Sequence, residues 1–175
     1  MTAPLLLVLA AAGFAAILWL LLTLFEARTG RGPVGIRHET PATNGGHMDY
    51  LFVAGRILFG GFFIVSGIRH FQFLGMMASF VGSKGFPAPK FFVVFSGLLI
   101  MAGGLSMLLG FRPLWGVVCI TLFLVPVSFV MHNYWADTDP MGRINNQVNF
   151  MKNVALLGAA WMMLAIPQPW VMGLE

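Results

Sequence analysis

Long apolar stretches alternate with short polar segments along the whole chain. A membrane-spanning helix needs roughly 20 mainly apolar residues to cross about 30 Å of hydrocarbon. Five stretches approach that length, and they predict helices over residues 4–25, 50–68, 91–110, 114–131 and 148–167. Residues 71–90 contain a shorter apolar run that glycines and prolines interrupt, which predicts a short interfacial helix.

The composition supports an all-α membrane protein. Of the 175 residues, 58% are hydrophobic and only 9% are charged, whereas about 25% of an average soluble domain is charged. We predict a four-helix transmembrane bundle with one extra N-terminal transmembrane helix. In chain order, we expect an anchor helix over residues 1–25, a polar loop over 26–49, the bundle over 50–167 and a short tail over 168–175.

The first apolar stretch has the position of a signal peptide but not its other features. No basic segment precedes it, it exceeds the usual apolar length of about 7–15 residues, and no clean cleavage site follows it. We interpret residues 1–25 as an uncleaved membrane anchor.

Several kinds of chemistry are not expected from this sequence. The single cysteine, Cys119, excludes an intrachain disulfide and a cysteine metal cluster. No acidic residue lies inside an apolar stretch, which argues against proton pumping by this chain alone. The histidines do not have the positions that haem ligation inside a bundle needs, and we predict no metal site. No catalytic motif occurs, so we do not expect the chain to be catalytic alone.

Polar residues gather where the topology brings three helix ends together. The second and fourth of the five helices run in the same direction, so their ends lie at the same membrane face as the start of the fifth helix. On the fifth helix, Asn145, Asn149 and Asn153 recur every four residues and form one polar stripe, beside Lys152. The predicted binding residues at this face are Arg69, His70, His132, Tyr134, Trp135, Asn149, Lys152 and Asn153.

Two interpretations of this polar face stay open. In the first, it is a hydrogen-bonded helix junction, and Lys152 extends its ammonium group to the lipid headgroups. In the second, the amides and the ammonium face the bundle interior and bind an anion or a quinone carbonyl. Arg56 lies two turns inside the second helix, and it either reaches the headgroups or pairs inside the bundle.

Two groups of motifs are similar to the DoxX-like family of small bacterial membrane proteins. The first half contains GRILFGGFF at residues 55–63, SGIRHF at 66–71 and a glycine-rich segment over 97–110. The second half contains HNYW at residues 132–135 and NFMKNVALLG at 149–158. The resemblance covers roughly residues 50–167. The chain departs from the family pattern in its extra N-terminal helix and in Arg69, where a lysine is common.

The resemblance implies a four-helix membrane bundle and a set of functional hypotheses. Some members of the family are named as subunits of a thiosulfate:quinone oxidoreductase, and others are linked to thiol and oxidative-stress chemistry. Our preferred hypothesis is an accessory or anchoring subunit of a quinone-linked redox complex in the bacterial cytoplasmic membrane. Its partners would be lipids and other membrane subunits, with quinone as a non-covalent ligand and no role for nucleic acid. The alternatives are a purely structural membrane subunit and a small-molecule transporter.

Overall fold

A computed structural model describes residues 45–174, and they form a helical bundle. Five α-helices follow one another: α1 (Gly45–Gln72), α2 (Leu74–Ser83), α3 (Pro89–Leu109), α4 (Pro113–Pro126) and α5 (Pro140–Met163). A π-helical turn, Val127–Met131, and a 3-10 turn, Tyr134–Ala136, connect α4 to α5. No strand occurs within residues 45–174, which confirms the all-α class. The predicted anchor over residues 1–25 and nearly all of the loop over 26–49 lie outside the described residues.

Three of the described helical segments are long and apolar enough to cross a bilayer. They are Gly46–Gln72, Pro89–Leu109 and Pro113–Ala136. Their outward side chains are largely apolar and exposed, as in Leu58 at 76% and Phe91 at 62%. Side chains of this kind need lipid around them, so these segments confirm a membrane protein. The first half of α5 is polar, and α5 is not among the three.

Proline and glycine set the ends of the helices. Pro89, Pro113 and Pro140 each occupy a first-turn position of a helix, where the missing N–H group costs no hydrogen bond. At the end of α3, Gly110 adopts a left-handed conformation with φ of 66°. This conformation lets the amide of Phe111 donate to the carbonyl of Ser106 at 3.1 Å, which ends the helix.

Close helix approach at glycine holds α1 against α3. A Cβ atom on Gly60 would lie 2.6 Å from the carbonyl oxygen of Gly104, and one on Gly104 would lie 2.7 Å from that of Gly60. Membrane helices use small residues in this way because lipid provides little hydrophobic drive for helices to associate. The side chains buried most completely belong to α1, α3 and α4, and they are Phe63, Ile100, Met107, Val117, Ile120 and Leu124.

The helix boundaries differ from the predicted ones in two places. The helix α1 already includes the residues from Gly45, before the predicted start at residue 50, and α5 begins at Pro140 rather than at residue 148. The early start of α5 has a local cause, because the side chain of Asp139 accepts a hydrogen bond of 2.6 Å from the amide of Gly142 and caps the helix. Most of residues 132–147, between the predicted fourth and fifth helices, is therefore helical.

The helix type changes at Pro126. Pro126 has no N–H group to donate to the preceding turn, and residues Val127–Met131 continue as a π-helical turn. The hydroxyl of Ser128, which is 3% exposed, donates to the carbonyl of Leu124 at 2.6 Å. The turn brings His132 and the residues after it towards the start of α5.

Candidate functional site

A chain of three polar side chains joins the end of the π-helical turn to α5. Nδ1 of His132 lies 3.0 Å from Oδ1 of Asn146. Nδ2 of the same Asn146 amide donates to Oδ2 of Asp137 at 2.8 Å. All three residues are partly buried. Of the three, only His132 was predicted as a binding residue.

A lysine from another helix reaches the same region. Nζ of Lys84, at the end of α2, donates to Oδ1 of Asn133 at 2.8 Å and also lies 5.7 Å from the ring centroid of Phe80. The ammonium groups of Lys84 and Lys152 are both near enough to act electrostatically on His132. Lys84 was not predicted because it lies far from His132 in sequence, in a segment whose packing the hydrophobic pattern does not specify.

The polar stripe predicted on the last helix is present on α5. Nζ of Lys152 donates to Oδ1 of Asn149 at 2.9 Å, and Nδ2 of Asn149 donates to the carbonyl of Asn145 at 3.0 Å. Asn153 lies one turn further along and is only 6% exposed. Its amide forms no side-chain hydrogen bond to any residue within 45–174.

Four aromatic rings pack together at the first half of α5, and one of them, Phe150, belongs to α5 itself. The ring of Phe150 lies 5.3 Å from Phe129, 5.7 Å from Tyr134 and 5.8 Å from Trp135, measured between centroids. All three pairs are edge-to-face, the arrangement that aromatic quadrupoles favour. Tyr134 and Trp135 were predicted to form the wall of a pocket, and they do lie beside α5. Phe129 and Phe150 complete the group.

The other two predicted binding residues make different contacts. Arg69 is exposed at the end of α1. Nδ1 of His70 donates to the carbonyl of Ser66 at 2.8 Å, and the His70 ring lies 5.7 Å from the ring of Phe123 on α4. Phe123 precedes His132 by nine residues, which is roughly 13 Å of helix. His70 therefore packs against the middle of the Pro113–Ala136 span, whereas His132 contacts the start of α5, and the two histidines have different partners.

Arg56 pairs with backbone groups inside the bundle. Its side chain is 3% exposed and donates to three carbonyl oxygens: Met107 at 3.3 Å, Leu108 at 2.8 Å and Val171 at 2.6 Å. The guanidinium carbon also lies 5.5 Å from the ring centroid of Trp170. Met107 and Leu108 are in the last turn of α3, where a positive charge complements the helix dipole. Of the two interpretations of Arg56, the contacts match pairing inside the bundle.

The donor set of the site consists of amides, lysines and one histidine rather than metal ligands. Within the described residues, no three His, Cys, Asp or Glu side chains converge on a position that would hold a metal ion. The groups available for a ligand are hydrogen-bonding groups beside aromatic rings. Such a combination suits a flat, partly polar molecule or a small anion.

The fold and the site together define a small all-α integral membrane protein with a cluster of polar side chains where the π-helical turn meets α5. The DoxX family model matches residues 51–133, which cover α1 to the end of the π-helical turn. This match confirms the resemblance to the DoxX-like family that the motifs indicated. The matched residues do not include α5. No curated protein and no solved structure matches the chain.

Proposed function

We propose that this DoxX-like protein is an accessory or anchoring subunit of a quinone-linked redox complex in the bacterial cytoplasmic membrane. In this proposal, the polar side chains along α5 bind the head of a quinone, or a small anion, without a covalent bond. The electrons would pass through a partner subunit. The chain itself provides the membrane anchor and the polar contacts.

The observation that carries this proposal is the amide of Asn153, a residue that is buried as a whole. Its 6% exposure, without a side-chain partner among residues 45–174, leaves a donor and an acceptor ready for a ligand. Asn146, Asn149 and Asn153 follow at spacings of three and four residues, so they lie on one face of α5. That face extends over roughly 10 Å of helix. The ammonium of Lys152 lies beside it.

The polar face of α5 has aromatic rings beside it. The rings of Tyr134 and Trp135 lie on the side of Phe150, one residue from Asn149. Ligand sites typically combine apolar and aromatic walls with a few polar groups that orient the ligand. A quinone head presents this combination, because its carbonyl oxygens accept hydrogen bonds at the edge of a flat apolar ring.

A second function is favoured by the hydrogen bonds that the chain makes with itself. Hydrogen bonds within the chain satisfy much of its polar surface. They join His132 to Asn146, Lys84 to Asn133 and Lys152 to Asn149. A purely structural membrane subunit, in which these bonds only join α2, α4 and α5, would use them in the same way.

The variant Asn153→Leu separates the two functions. Leucine has the same branched arrangement of side-chain heavy atoms and no polar atoms, so the quinone proposal expects equal or greater thermal stability together with loss of ligand binding. Binding of a short-chain benzoquinone to the full-length protein in nanodiscs would be measured by calorimetry. Gln147→Leu is the matched control, because Gln147 is an exposed amide on the same helix. A variant that is less stable than the control and binds as the wild type does would favour the structural role.

The redox partner needs a separate experiment. Gentle-detergent purification of the full-length chain, followed by mass spectrometry and an optical spectrum, is expected to recover a membrane partner with flavin, haem or copper absorbance. A colourless protein that purifies alone would contradict the role as a subunit of a redox complex.

A further inference from the structure

The hydrogen-bond chain at His132 has a direction, and that direction determines which form of a ligand it can bind. The chain begins at Asp137, because an ionised carboxylate can only accept hydrogen bonds. The Asn146 group facing Asp137 at 2.8 Å must therefore be the NH₂ end of its amide. The carbonyl end, Oδ1, is left to face His132.

The orientation of Asn146 in turn determines the tautomer of His132. Oδ1 of Asn146 can only accept, and it lies 3.0 Å from Nδ1 of His132. Nδ1 must then bear the hydrogen, and in the neutral ring Nε2 has a lone pair. Nε2 forms no hydrogen bond to any residue that the structure describes. His132 thus presents a hydrogen-bond acceptor.

The nearby cations are engaged elsewhere. Lys84 and Lys152 act electrostatically on His132, and both are donors. Lys84 donates to Asn133, however, and Lys152 donates to Asn149. The acceptor at Nε2 therefore remains available to a ligand that brings its own hydrogen.

We infer that the His132 end of this hydrogen-bond chain recognises a hydroxyl hydrogen, and so prefers a hydroquinone over the corresponding quinone. This inference rests on the proposed function. The oxygens of a quinone only accept hydrogen bonds and would face the Nε2 lone pair without a shared hydrogen. The hydroxyl groups of the hydroquinone donate. We expect the hydroquinone to bind about tenfold more tightly, the factor that one net hydrogen bond contributes.

The first test measures the tautomer without any ligand. Nitrogen NMR of the full-length protein with ¹⁵N-labelled histidine, at about pH 8 and so above the ordinary histidine pKa of about 6.5, distinguishes the two neutral forms. We expect hydrogen on Nδ1 in the wild type. In Asp137→Asn the new amide can donate as well as accept, so the orientation of Asn146 is no longer determined and the Nε2–H form should appear.

Asp139→Asn is the matched control. It removes the same charge two residues away, and asparagine is also a good N-cap for α5, so the tautomer should not change. A wild-type His132 with its hydrogen on Nε2, or an Asp137→Asn spectrum like that of the wild type, would overturn the inference. Neither result bears on whether quinone binds.

The second test compares ligands. A short-chain benzoquinone and its hydroquinone, kept anaerobic, would be titrated into wild type and Asp137→Asn. A preference of about tenfold for the hydroquinone in wild type, reduced in the variant, supports the inference. Equal binding of both forms would overturn the inference and leave the proposed function standing. Binding of neither form would overturn the proposed function, and the ligand preference with it.

Discussion

Replacing Arg56 with methionine tests the most extensive polar contact inside the bundle. The guanidinium donates to carbonyls at the end of α3, those of Met107 and Leu108, and to the carbonyl of Val171 in the C-terminal segment. Hydrogen bonds within membrane proteins contribute about 0.6 kcal/mol on average and about 1.7 kcal/mol at most. Three such bonds therefore contribute about 2–5 kcal/mol. Removing the charge from the end of α3 adds about 0.3–1 kcal/mol through the helix dipole.

One term acts in the opposite direction. Methionine avoids the cost of burying a guanidinium group, so the net loss is smaller than the gross sum. We expect Arg56→Met to lower the free energy of unfolding by about 2–4 kcal/mol. Arg56→Lys keeps the charge but lacks the planar fork that reaches several carbonyls, so its loss should be intermediate.

The assay has a global and a local part. Unfolding of the full-length protein by SDS titration in mixed micelles gives the change in stability. Hydrogen exchange of the peptide over residues 168–174 gives the local effect, because the amide of Leu174 donates to the carbonyl of Leu109 at 2.9 Å beside the Arg56 contacts. We expect faster exchange there and unchanged exchange in the middle of α5.

Arg69→Met is the matched control, since it makes the same substitution on the same helix at an exposed position. Exposed substitutions usually change stability by less than about 0.5 kcal/mol. If Arg56→Met unfolded at the same SDS concentration as Arg69→Met and left exchange of the C-terminal peptide unchanged, the contacts of Arg56 would not stabilise the fold.

Two further substitutions test helix packing in the same assay. Gly60→Ala should destabilise the protein and loosen α1 from α3, because its Cβ would lie 2.6 Å from the carbonyl oxygen of Gly104. Gly61→Ala is the control and should have little effect, since its Cβ would have nothing within 4 Å. Equal effects of the two substitutions would argue against close approach of α1 and α3 at Gly60. Trp161→Phe should lower the free energy of unfolding by about 1 kcal/mol, since it removes the hydrogen bond of 3.1 Å from Nε1 to the hydroxyl of Thr121. An unchanged midpoint of the SDS titration would mean that this bond contributes nothing to joining α4 and α5.

The sequence predicted the spans that depend on hydrophobicity alone. Three of the apolar stretches became α1, α3 and α4 because a run of about 20 apolar residues in lipid has to satisfy its backbone within a helix. The start of α5 was missed because its first turns are polar. The local signal was nevertheless present, since Asp139 followed by Pro140 is a capping residue followed by a first-turn proline.

The candidate site was predictable only where it is local. The Lys152–Asn149 hydrogen bond follows from a spacing of three residues on one helix. The partners of Arg56 were not predictable, because they are backbone carbonyls 51, 52 and 115 residues away. Asn146 was also missed, because the choice between Asn145 and Asn146 as the partner of His132 depends on the rotation of α5, which the sequence pattern leaves open.

The π-helical turn explains why the hydrogen-bonding side chains of the site meet at the start of α5. A regular α-helix through residues 127–131 would direct His132 along the axis of α4. The turn that begins after Pro126 instead ends at His132, and the chain returns through Tyr134–Ala136 to Asp137, so that both ends of the hydrogen-bond chain meet Asn146 on α5. π-Turns are uncommon and occur frequently at functional sites. Substitution of Pro126 should therefore disturb the hydrogen bonds of the site more than it disturbs the fold, because α3 and α4 pack through residues before Pro126.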